Sequence, residues 1–461
     1  MKTNSSQLGI VLIYEVLIMF IFSTVMVAVV SYSIFQLKLI HSVTNREQAF
    51  QIAEAGNNYY QWHLAHFPID YKDGTNSAGP YVHDYLDKDT NLVIGQYSLT
   101  ITPPPPGSTI VTISSTAYTM ANPNQKRTVT SHYGIASLAK FAFLTNSDAW
   151  IGDTESVSGQ FHTNGGVRFD GTGNAPITSA KQTYTCQPTF GCNPSLTKNG
   201  IWGTAPASTQ SFWKFPVPSE DFSAITSNLA TIKSDAQLAG IYLPPSTKQG
   251  YSLVFNANGT VTVYKVTSLR AHQTGWDVNN VAHNEDLDYN ARSLQFTQAI
   301  PANGLIYVED RTWVEGTVNG RALVAAATLP YNAATAPSIL IPNNIVYAAK
   351  DGSSALGLIG QQDILVTYFA PATLEVDAAL IAQNGSTQRY YFPNNVKTAI
   401  TIYGTTCSYG TWTWSWVDGS GNTISGYPIT NSTYDSNLLF GPPPSFPLSS
   451  SGYQQIDWSS N

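Results

Sequence analysis

Residues 16–37 read VLIMFIFSTVMVAVVSYSIFQL, a run without a single charged side chain. An α-helix rises about 1.5 Å per residue, so a run of this length covers the ~30 Å of hydrocarbon in a bilayer. Residues 46–56, REQAFQIAEAG, extend the helical pattern beyond the apolar run. The sequence therefore predicts a helix that spans or anchors in a membrane and remains helical after it emerges.

The emerging part of this helix carries one apolar stripe. Phe50, Ala53, Gly56 (or Asn57) and Tyr60 recur at a spacing of three to four residues, whereas the preceding run is apolar on every side. Residues at this spacing share one face of a helix, and such a face packs on a core. We therefore expect the emerging half to dock, with Phe50, Ala53 and Gly56 as packing residues.

The stretch from Glu47 to Gly56, EQAFxxAEAG, resembles the N-terminal segment of type IV pilin-like proteins, especially the PilX-like minor pilins. In that family the apolar helix is held in the cytoplasmic membrane and then packs with its neighbours into a filament core. The resemblance implies a cytoplasmic N-terminus, a single pass, and a body outside the cell, displayed at the surface on a pilus. It also implies three partners: the lipid membrane, other pilin-like subunits and the pilus assembly machinery.

The resemblance also implies a processing site. The family's peptidase cuts after a glycine that precedes an apolar stretch with a glutamate at its fifth position. Here Gly9 is followed by Ile10, and Glu15 is the sixth residue of that stretch. Gly9 and Ile10 are the candidate processing residues and Glu15 is a candidate assembly residue. A disposable signal peptide is the alternative, but its apolar region spans only about 7 to 15 residues.

The composition indicates an extracellular, β-rich body. Only 11% of the 461 residues are charged, against about 25% in ordinary domains. Serine, threonine, asparagine and glycine supply polarity instead, and the length allows two or three domains. The net charge of −7 argues against a nucleic-acid partner, because phosphate binding needs clustered lysine and arginine.

After the helix, residues 67–135 read as a small antiparallel meander packed on it. A turn-rich loop follows Phe67, and then Tyr97, Leu99 and Ile101 alternate with polar residues in the first of three strand-like runs. The position and the amino-acid sequence of these runs are similar to those of the sheet that pilin-like proteins pack on their helix. Residues 1–66 and 67–135 are thus the first two predicted regions.

Residues 136–400 form a β-rich body in this interpretation. Its apolar runs are only three to six residues long and are separated by glycine and asparagine. A β-solenoid explains runs this short better than a β-sandwich does, although both architectures stay open. A short amphipathic helix is expected within 218–243, with Glu220 and Asp221 in its first turn. A hairpin is expected at 251–266, around the sequence NANG.

Residues 401–461 form an aromatic strand and a proline-rich, extended tail. Trp412, Trp414 and Trp416 share one face of the strand. They are candidates for contact with surface glycans or a protein partner, and core packing is the alternative. Cys186 and Cys192 are candidates for a disulfide, which leaves Cys407 unpaired.

The sequence contains no complete catalytic or metal-binding pattern, and no cofactor or metal is expected. His63 and His66 lack further ligands, and the loop that begins at Asp87 has a leucine where a calcium loop needs glycine. Adjacent Glu309 and Asp310 would point to opposite faces of a strand. Glu375 and Asp377 form a second carboxylate pair, but the sequence shows no further catalytic residues to accompany it.

The sequence thus predicts a mainly β protein with a long N-terminal transmembrane α-helix. We interpret it as a non-enzymatic, membrane-anchored structural or assembly protein of the minor-pilin type. Two alternatives remain: a membrane-tethered adhesin or glycan-binding protein, and a solenoid enzyme that degrades polysaccharides with an acidic residue such as Glu315.

Overall fold

One helix, α1 (Ser5–His66), runs through both the apolar run and the stripe that follows it. The computed structural model describes residues 5–105, 107–222, 224–271, 274–449 and 452–461. Within this part of the chain, α1 is the one helix that is long and apolar enough to cross a membrane. No proline or glycine occurs from Ile10 to Ala55, so no residue there breaks the helix.

The protein beyond α1 is mainly β, and the chain as a whole divides into two units. Their bounds are Met1–Pro103, Val111–Tyr133 and Gln455–Asn461 for unit 1, and Pro104–Ile110 and Gly134–Gln454 for unit 2. The sequence analysis assigned the C-terminal tail to a region of its own, whereas the structure places its end in unit 1. The reason is backbone pairing, because Thr128 and Asn461 exchange two N–H···O bonds of 2.9 and 3.2 Å.

Unit 1 contains a five-stranded sheet. Its strands, in spatial order, are β1 (Tyr81–Leu86), β2 (Val93–Thr102), β3 (Ile110–Thr119), β4 (Asn122–Gly134) and Gln454–Ser460, which we term the closing strand. β1, β2 and β3 pair antiparallel, and α1 contacts β2. The sequence analysis missed β1 and the closing strand. Neither shows an apolar alternation, because β1 buries only Tyr81 and the closing strand buries no residue.

Most strands of unit 2 pair in parallel and stack into ladders. The first ladder contains, in spatial order, Ile241–Leu243, Leu305–Val308, Arg321–Ala326, Ala355–Gly360, Thr373–Ala382, Ala399–Ser408, Phe143–Thr145, Phe161–Thr163, Ile177–Ser179 and Trp213–Lys214. Ile306, Val324, Leu358 and Leu380 hold one register along it and are fully buried. This column of aliphatic side chains forms part of the core of the unit.

Two further ladders and a short sheet complete the parallel part. The second ladder contains Tyr251–Asn256, Thr312–Val318, Ile339–Ile341, Ile364–Val366 and Thr387–Gln388. The third contains Thr312–Val318, Ile345–Tyr347, Thr373–Ala382, Ala399–Ser408, Ile429–Tyr434, Glu155–Ser158 and Thr172–Gly173. The short sheet contains Ala149–Ile151, Val167–Phe169 and Ile201–Trp202.

Two glycines allow long strands to belong to two ladders. Gly316 has a φ of 111° and Gly404 a φ of 141°, and each lies where its strand passes from one ladder to the next. A Cβ at either position would lie 2.2 Å from a carbonyl oxygen of the neighbouring strand. Only glycine combines this backbone conformation with so close an approach.

The chain enters the first ladder in its middle. Phe143–Thr145 pairs with the end of Ala399–Ser408, and the following strands build outward to Trp213–Lys214. The chain then resumes at the opposite end, with Ile241–Leu243, and builds inward again. The ladder strand that comes last in the sequence, Ala399–Ser408, is therefore hydrogen-bonded to the one that comes first, Phe143–Thr145.

A helix at Ala224–Ala239 links the two ends of the ladder and packs on its outer face. Leu229 and Ile232 are buried there in a second apolar cluster that includes Tyr307 and Cys407. The sequence analysis expected a helix in this region, but it placed Glu220 and Asp221 in the first turn. Both residues precede the helix, so that part of the prediction was wrong.

The expected hairpin is present. Tyr251–Asn256 and Thr260–Arg270 pair antiparallel, and Gly259 between them has a φ of 80°. Thr260–Arg270 pairs in turn with Asp288–Ala299. The remaining elements of unit 2 are Leu138–Lys140, Thr183–Cys186, Pro188–Phe190, Leu196–Asn199, Ala207–Gln210, Gly275–Trp276, Ala282–His283, Ser415–Val417, Thr423–Gly426 and Ser436–Leu438.

Candidate functional site

The first half of α1 exposes its apolar side chains. From Ile10 to Val43 the large apolar residues are exposed. Ser23, Thr24 and Ser33 donate hydrogen bonds to carbonyl oxygens one turn earlier in the same helix, at 2.8 to 3.0 Å. Polar groups satisfied within the helix are what a hydrocarbon environment requires. This surface is therefore suited to lipid or to other apolar helices.

The candidate processing and assembly residues lie in this exposed half. Gly9 and Ile10 are part of α1, and the Ile10 side chain is exposed. Glu15 is exposed as well, and it is the one charged residue between Thr3 and Leu37. A carboxylate in an apolar environment is costly without a cationic partner. Glu15 is thus the one charged residue on the mainly apolar surface of residues 10–37.

The second half of α1 buries a stripe at the spacing that the sequence predicts. Its buried members are Ala49, Ile52, Ala53, Gly56, Asn57, Tyr60, His63 and Leu64. Phe50 is half-buried, with its ring 6.2 Å from that of Trp458 on the closing strand. Asn57 adds a polar link, because its Nδ2 donates to the carbonyl oxygen of Val129 at 2.9 Å.

Close approach between α1 and the sheet depends on two glycines. A Cβ on Gly56 would lie 2.4 Å from Ser115 Oγ and 2.7 Å from the ring of Tyr97. A Cβ on Gly95 of β2 would lie 2.4 Å from Ile52 Cδ1. All three distances are shorter than van der Waals contact, so side chains at these two positions would push helix and sheet apart. Sequence reasoning selected Gly56 from its spacing and missed Gly95.

The C-terminal end of α1 is tied to the loop that follows it. His63 is buried, and its Nε2 lies 3.0 Å from Asp70 Oδ2. The Tyr60 hydroxyl donates to the carbonyl oxygen of Asp70 at 2.8 Å. Hydrogen bonds from the backbone, first that of Lys72, lower the pKa of the Asp70 carboxyl. His63 is therefore a structural residue, whereas His66 is exposed.

The three tryptophans pack within unit 2. Trp412 and Trp414 are buried and meet edge to face, with centroids 6.3 Å apart. Trp412 also meets Phe143 at 4.8 Å. Trp416 is half-buried, and its Nε1 donates to the carbonyl oxygen of Arg389 at 2.9 Å. Buried rings cannot stack on a ligand, so this arrangement corresponds to the packing alternative.

The three cysteines divide into one pair and one free thiol. Cys186 and Cys192 form a disulfide between Cα atoms 5.7 Å apart. Cys407 is free and fully buried, and burial raises the pKa of its thiol to about 12. A buried thiol with a raised pKa is chemically inert.

Each acidic residue considered for catalysis is engaged by neighbouring groups. Glu375 and Asp377 both contact Lys350 Nζ at 2.9 Å. Glu315 accepts from Arg292 at 2.9 Å and from the Tyr289 hydroxyl at 2.6 Å.

The adjacent pair is engaged in the same way. Glu309 accepts from Lys233 and, at 2.7 Å, from the Tyr242 hydroxyl. Asp310 accepts from the backbone N–H of Ser246 at 2.8 Å. These carboxylates hold local structure.

Metal-binding groups give a similar picture. In the turn that begins at Asp87, its Oδ1 accepts from the backbone N–H groups of Asp89 and Thr90. Among the residues that the structure describes, no group of three or more His, Cys, Asp or Glu side chains is arranged to hold a metal ion.

Sequence reasoning missed a row of residues that follow the strands of the first ladder. A repeated motif in the sequence, FLTN at 143–146 and FHTN at 161–164, could have revealed this row. Asn146 and Asn164 come directly after neighbouring strands, and their amides are joined by a hydrogen bond of 2.8 Å. Both residues line an open cleft in unit 2.

Comparisons with known proteins gave one kind of match. No protein-family model matches the chain, and no curated protein matches it. Three chains of solved structures match it, among them the competence-associated pilin ComZ from Thermus thermophilus. The two chains are 12% identical with a TM-score of 0.28, and the match covers 91% of this chain and 98% of that one.

Proposed function

We propose that this protein is a non-enzymatic structural subunit of the type IV pilin-like class. In this proposal α1 crosses the cytoplasmic membrane once and the β-rich body is displayed outside the cell. The observation that carries it is the division of α1 into an exposed apolar half and a half packed on a sheet. The resemblance of residues 47–56 to PilX-like minor pilins supports it.

The apolar half of α1 is used twice in this mechanism. It first lies in lipid, where residues 16–37 rise about 33 Å at 1.5 Å per residue, enough to cross the hydrocarbon. It then packs against the helices of other pilin-like subunits in a filament, a step that the pilus assembly machinery carries out. In lipid the apolar side chains are kept away from water. In the filament they pack against the apolar helices of neighbouring subunits.

Processing at Gly9 tests the proposal most directly. Mass spectrometry of the protein from membranes of a pilus-competent host is expected to find an N-terminus at Ile10. A start at Met1 would leave a tethered surface protein. A start beyond Phe35 would make the apolar run a removed signal and would refute the filament mechanism.

Glu15 is proposed to pair with the amine of a processed Ile10 or with a cation of a neighbouring subunit. Replacing it by glutamine removes the charge and keeps the shape. We therefore expect Glu15→Gln to reduce incorporation into filaments severalfold while membrane insertion stays unchanged. Sheared filaments and membranes are compared by immunoblotting.

Glu47→Gln is the matched control, because Glu47 is an exposed residue of the same helix beyond the apolar run. It is expected to leave incorporation unchanged. Equal incorporation of Glu15→Gln and the wild type would refute the role of Glu15.

We further propose that the ladders of unit 2 are the sides of a β-solenoid. Parallel pairing of strands from successive turns supports this architecture, since a β-sandwich is built mainly from antiparallel pairs. Glycines at the bends between ladders support it as well. In this proposal the solenoid is the displayed body.

Neither alternative function is favoured by the sites first assigned to it. A glycan-binding role for Trp412 and Trp414 requires exposed rings, and both are buried. A polysaccharide-degrading role requires a free acid and base, and the candidate Glu315 is held by an arginine and a tyrosine.

A further inference from the structure

An open cleft of about 960 Å³ lies beside the first ladder of unit 2. Tyr409, Asn146, Asn164 and Ala180 line it, and each directly follows the last residue of a ladder strand. Those last residues pair in register, in the order Ser408, Thr145, Thr163 and Ser179. Because neighbouring strands lie about 4.8 Å apart, the four positions form a straight track, which suits a linear polymer.

One wall of the cleft is held in place by hydrogen bonds between Asn164, which lies on the track, and Glu220. The Asn164 side chain donates to Asn146 Oδ1 and to the carbonyl oxygen of Glu220, both at 2.8 Å. Its Oδ1 accepts from the backbone N–H of Glu220 at 2.9 Å. Lys140 Nζ holds the carboxylate of Glu220 at 2.7 Å. Because hydrogen bonds to both the backbone and the side chain of Glu220 already hold this wall in place, it does not have to become ordered when a ligand binds. The entropic cost of binding is therefore lower.

An aromatic ring stands at one end of the track. Tyr409 is 45% exposed, although it belongs to a strand end surrounded by buried residues. Its ring meets that of Phe222 nearly edge to face, with centroids 6.1 Å apart. Phe222 is buried and so fixes the tyrosine. A fixed, exposed ring offers an apolar platform with a polar tip.

Hydrogen-bonding groups lie along the rest of the cleft. Asp148 Oδ1 accepts from the backbone N–H of Gly166 at 2.8 Å. Its Oδ2 has no hydrogen-bond partner among the residues that the structure describes. Lys181 is exposed at the same cleft. Sugar hydroxyls both donate and accept, so they match a free carboxylate oxygen and an ammonium group together.

The charge of the lining narrows the class of ligand. Among the described residues that line the cleft, Asp148, Glu220 and Asp221 are acidic and Lys181 is basic. An excess of carboxylates repels phosphate and uronate polymers. We infer that this cleft binds a linear, uncharged oligosaccharide, with Tyr409 stacking on a sugar face and Asp148 accepting from its hydroxyls. The inference concerns unit 2 alone and does not depend on filament formation.

The test is calorimetric titration of the full-length protein in detergent with a panel of neutral cello-, malto-, xylo-, manno- and chito-oligosaccharides. At least one is expected to bind. Tyr409→Ala should weaken that binding about tenfold, which corresponds to roughly 1.4 kcal/mol of lost stacking. Tyr331→Ala is the matched control, since Tyr331 is 44% exposed and does not line this cleft. It should bind like the wild type.

A second pair of variants covers the case in which Tyr409→Ala fails to fold. Asp148→Asn keeps the acceptor for Gly166 and removes the charge, and it should also weaken binding severalfold. Asp153→Asn, at an exposed position of the same unit, is its control.

Three results would overturn the inference. The first is that no member of the panel binds to the wild type. The second is that every variant of this pair that folds, Tyr409→Ala or Asp148→Asn, binds as tightly as the wild type, which would place the ligand elsewhere. The third is tighter binding of an anionic oligosaccharide such as oligogalacturonate.

Discussion

Gly56 is the residue on which the docking of α1 most directly depends. It lies in the buried stripe of the helix, opposite Ser115 and Tyr97. Glycine in a helix costs about 1 kcal/mol relative to alanine, so its presence here opposes helix formation. The distances explain it, because any larger residue would separate the helix from the sheet.

We expect Gly56→Ala to lower the free energy of unfolding of the protein. The new methyl group overlaps Ser115 Oγ and the ring of Tyr97, which costs about 1–3 kcal/mol against the gain in helix propensity. Thermal unfolding in detergent, followed by circular dichroism, measures the change. Asn58→Ala, at an exposed position of the same helix, is the control and should have little effect.

A double variant separates overlap from other causes. Ser115→Ala removes the nearest of the overlapping atoms, so Gly56→Ala combined with it should regain part of the lost stability. A double variant no more stable than Gly56→Ala alone would contradict the steric explanation.

Single residues were predictable where a period fixes their environment. The spacing of Ala53 and Gly56 identified a buried face, because a helix places residues three and four apart together. The alternation of Trp412 and Trp414 did not identify theirs. An alternating strand has the same pattern whichever face meets the core, so exposure of the tryptophans could not be read from the sequence.

Among the elements, the strand Glu155–Ser158 begins with a carboxyl group in an unfavourable environment. Burial raises the pKa of Glu155 from its ordinary 4.5 to about 8, although a hydrogen bond from the Gly152 N–H opposes the shift. Between these values the folded protein keeps a proton that the unfolded chain has lost. Ionisation of Glu155 is therefore expected to lower the stability of the folded protein as the pH rises from 4.5 to 8.

Glu155→Gln should flatten this dependence, because glutamine does not ionise and can still accept from Gly152. Melting temperatures of the wild type and the variant are compared across that pH range. Glu47→Gln, at an exposed position of α1, should retain the wild-type slope. A Glu155→Gln slope equal to that of the wild type would mean that other groups cause the pH dependence.

The elements were predictable in proportion to the regularity of their sequences. The long helix and the hairpin at Tyr251–Arg270 have clear periods and a clear turn, and the structure contains both. The helix at Ala224–Ala239 was expected, with its start misplaced. β1 and the closing strand could not be found, since pairing with a neighbour, and not burial of an apolar face, makes them strands.

The whole of unit 2 depends on a junction between the beginning and the end of its chain. Phe143 and Thr406 pair in register there, and Ser147 contacts Thr411, 264 residues further on, at 3.1 Å. The Phe143 ring stacks on Phe161 at 5.1 Å. The order of strands in the ladder was not predictable, because no local pattern links residues so far apart in the sequence.

We expect Phe143→Ala to destabilise both sides of this junction together. Loss of a buried phenylalanine costs about 3–5 kcal/mol. Hydrogen exchange followed by mass spectrometry should then show faster exchange at residues 143–163 and also at 399–434. Phe369→Ala, at a partly exposed position outside the junction, should not produce this pattern. Faster exchange confined to 143–163 would contradict the shared junction.

The position of the closing strand has a consequence for the folding of the protein during its synthesis. Synthesis proceeds from the N-terminus, so α1 and β1 to β4 are made long before Gln454–Ser460. Until then β4 keeps an unpaired edge, and an open strand edge invites pairing with other chains and attracts chaperones and proteases. A copy of the protein without Gln454–Ser460 would keep that edge open, so the closing strand protects the sheet of unit 1 from pairing with other chains.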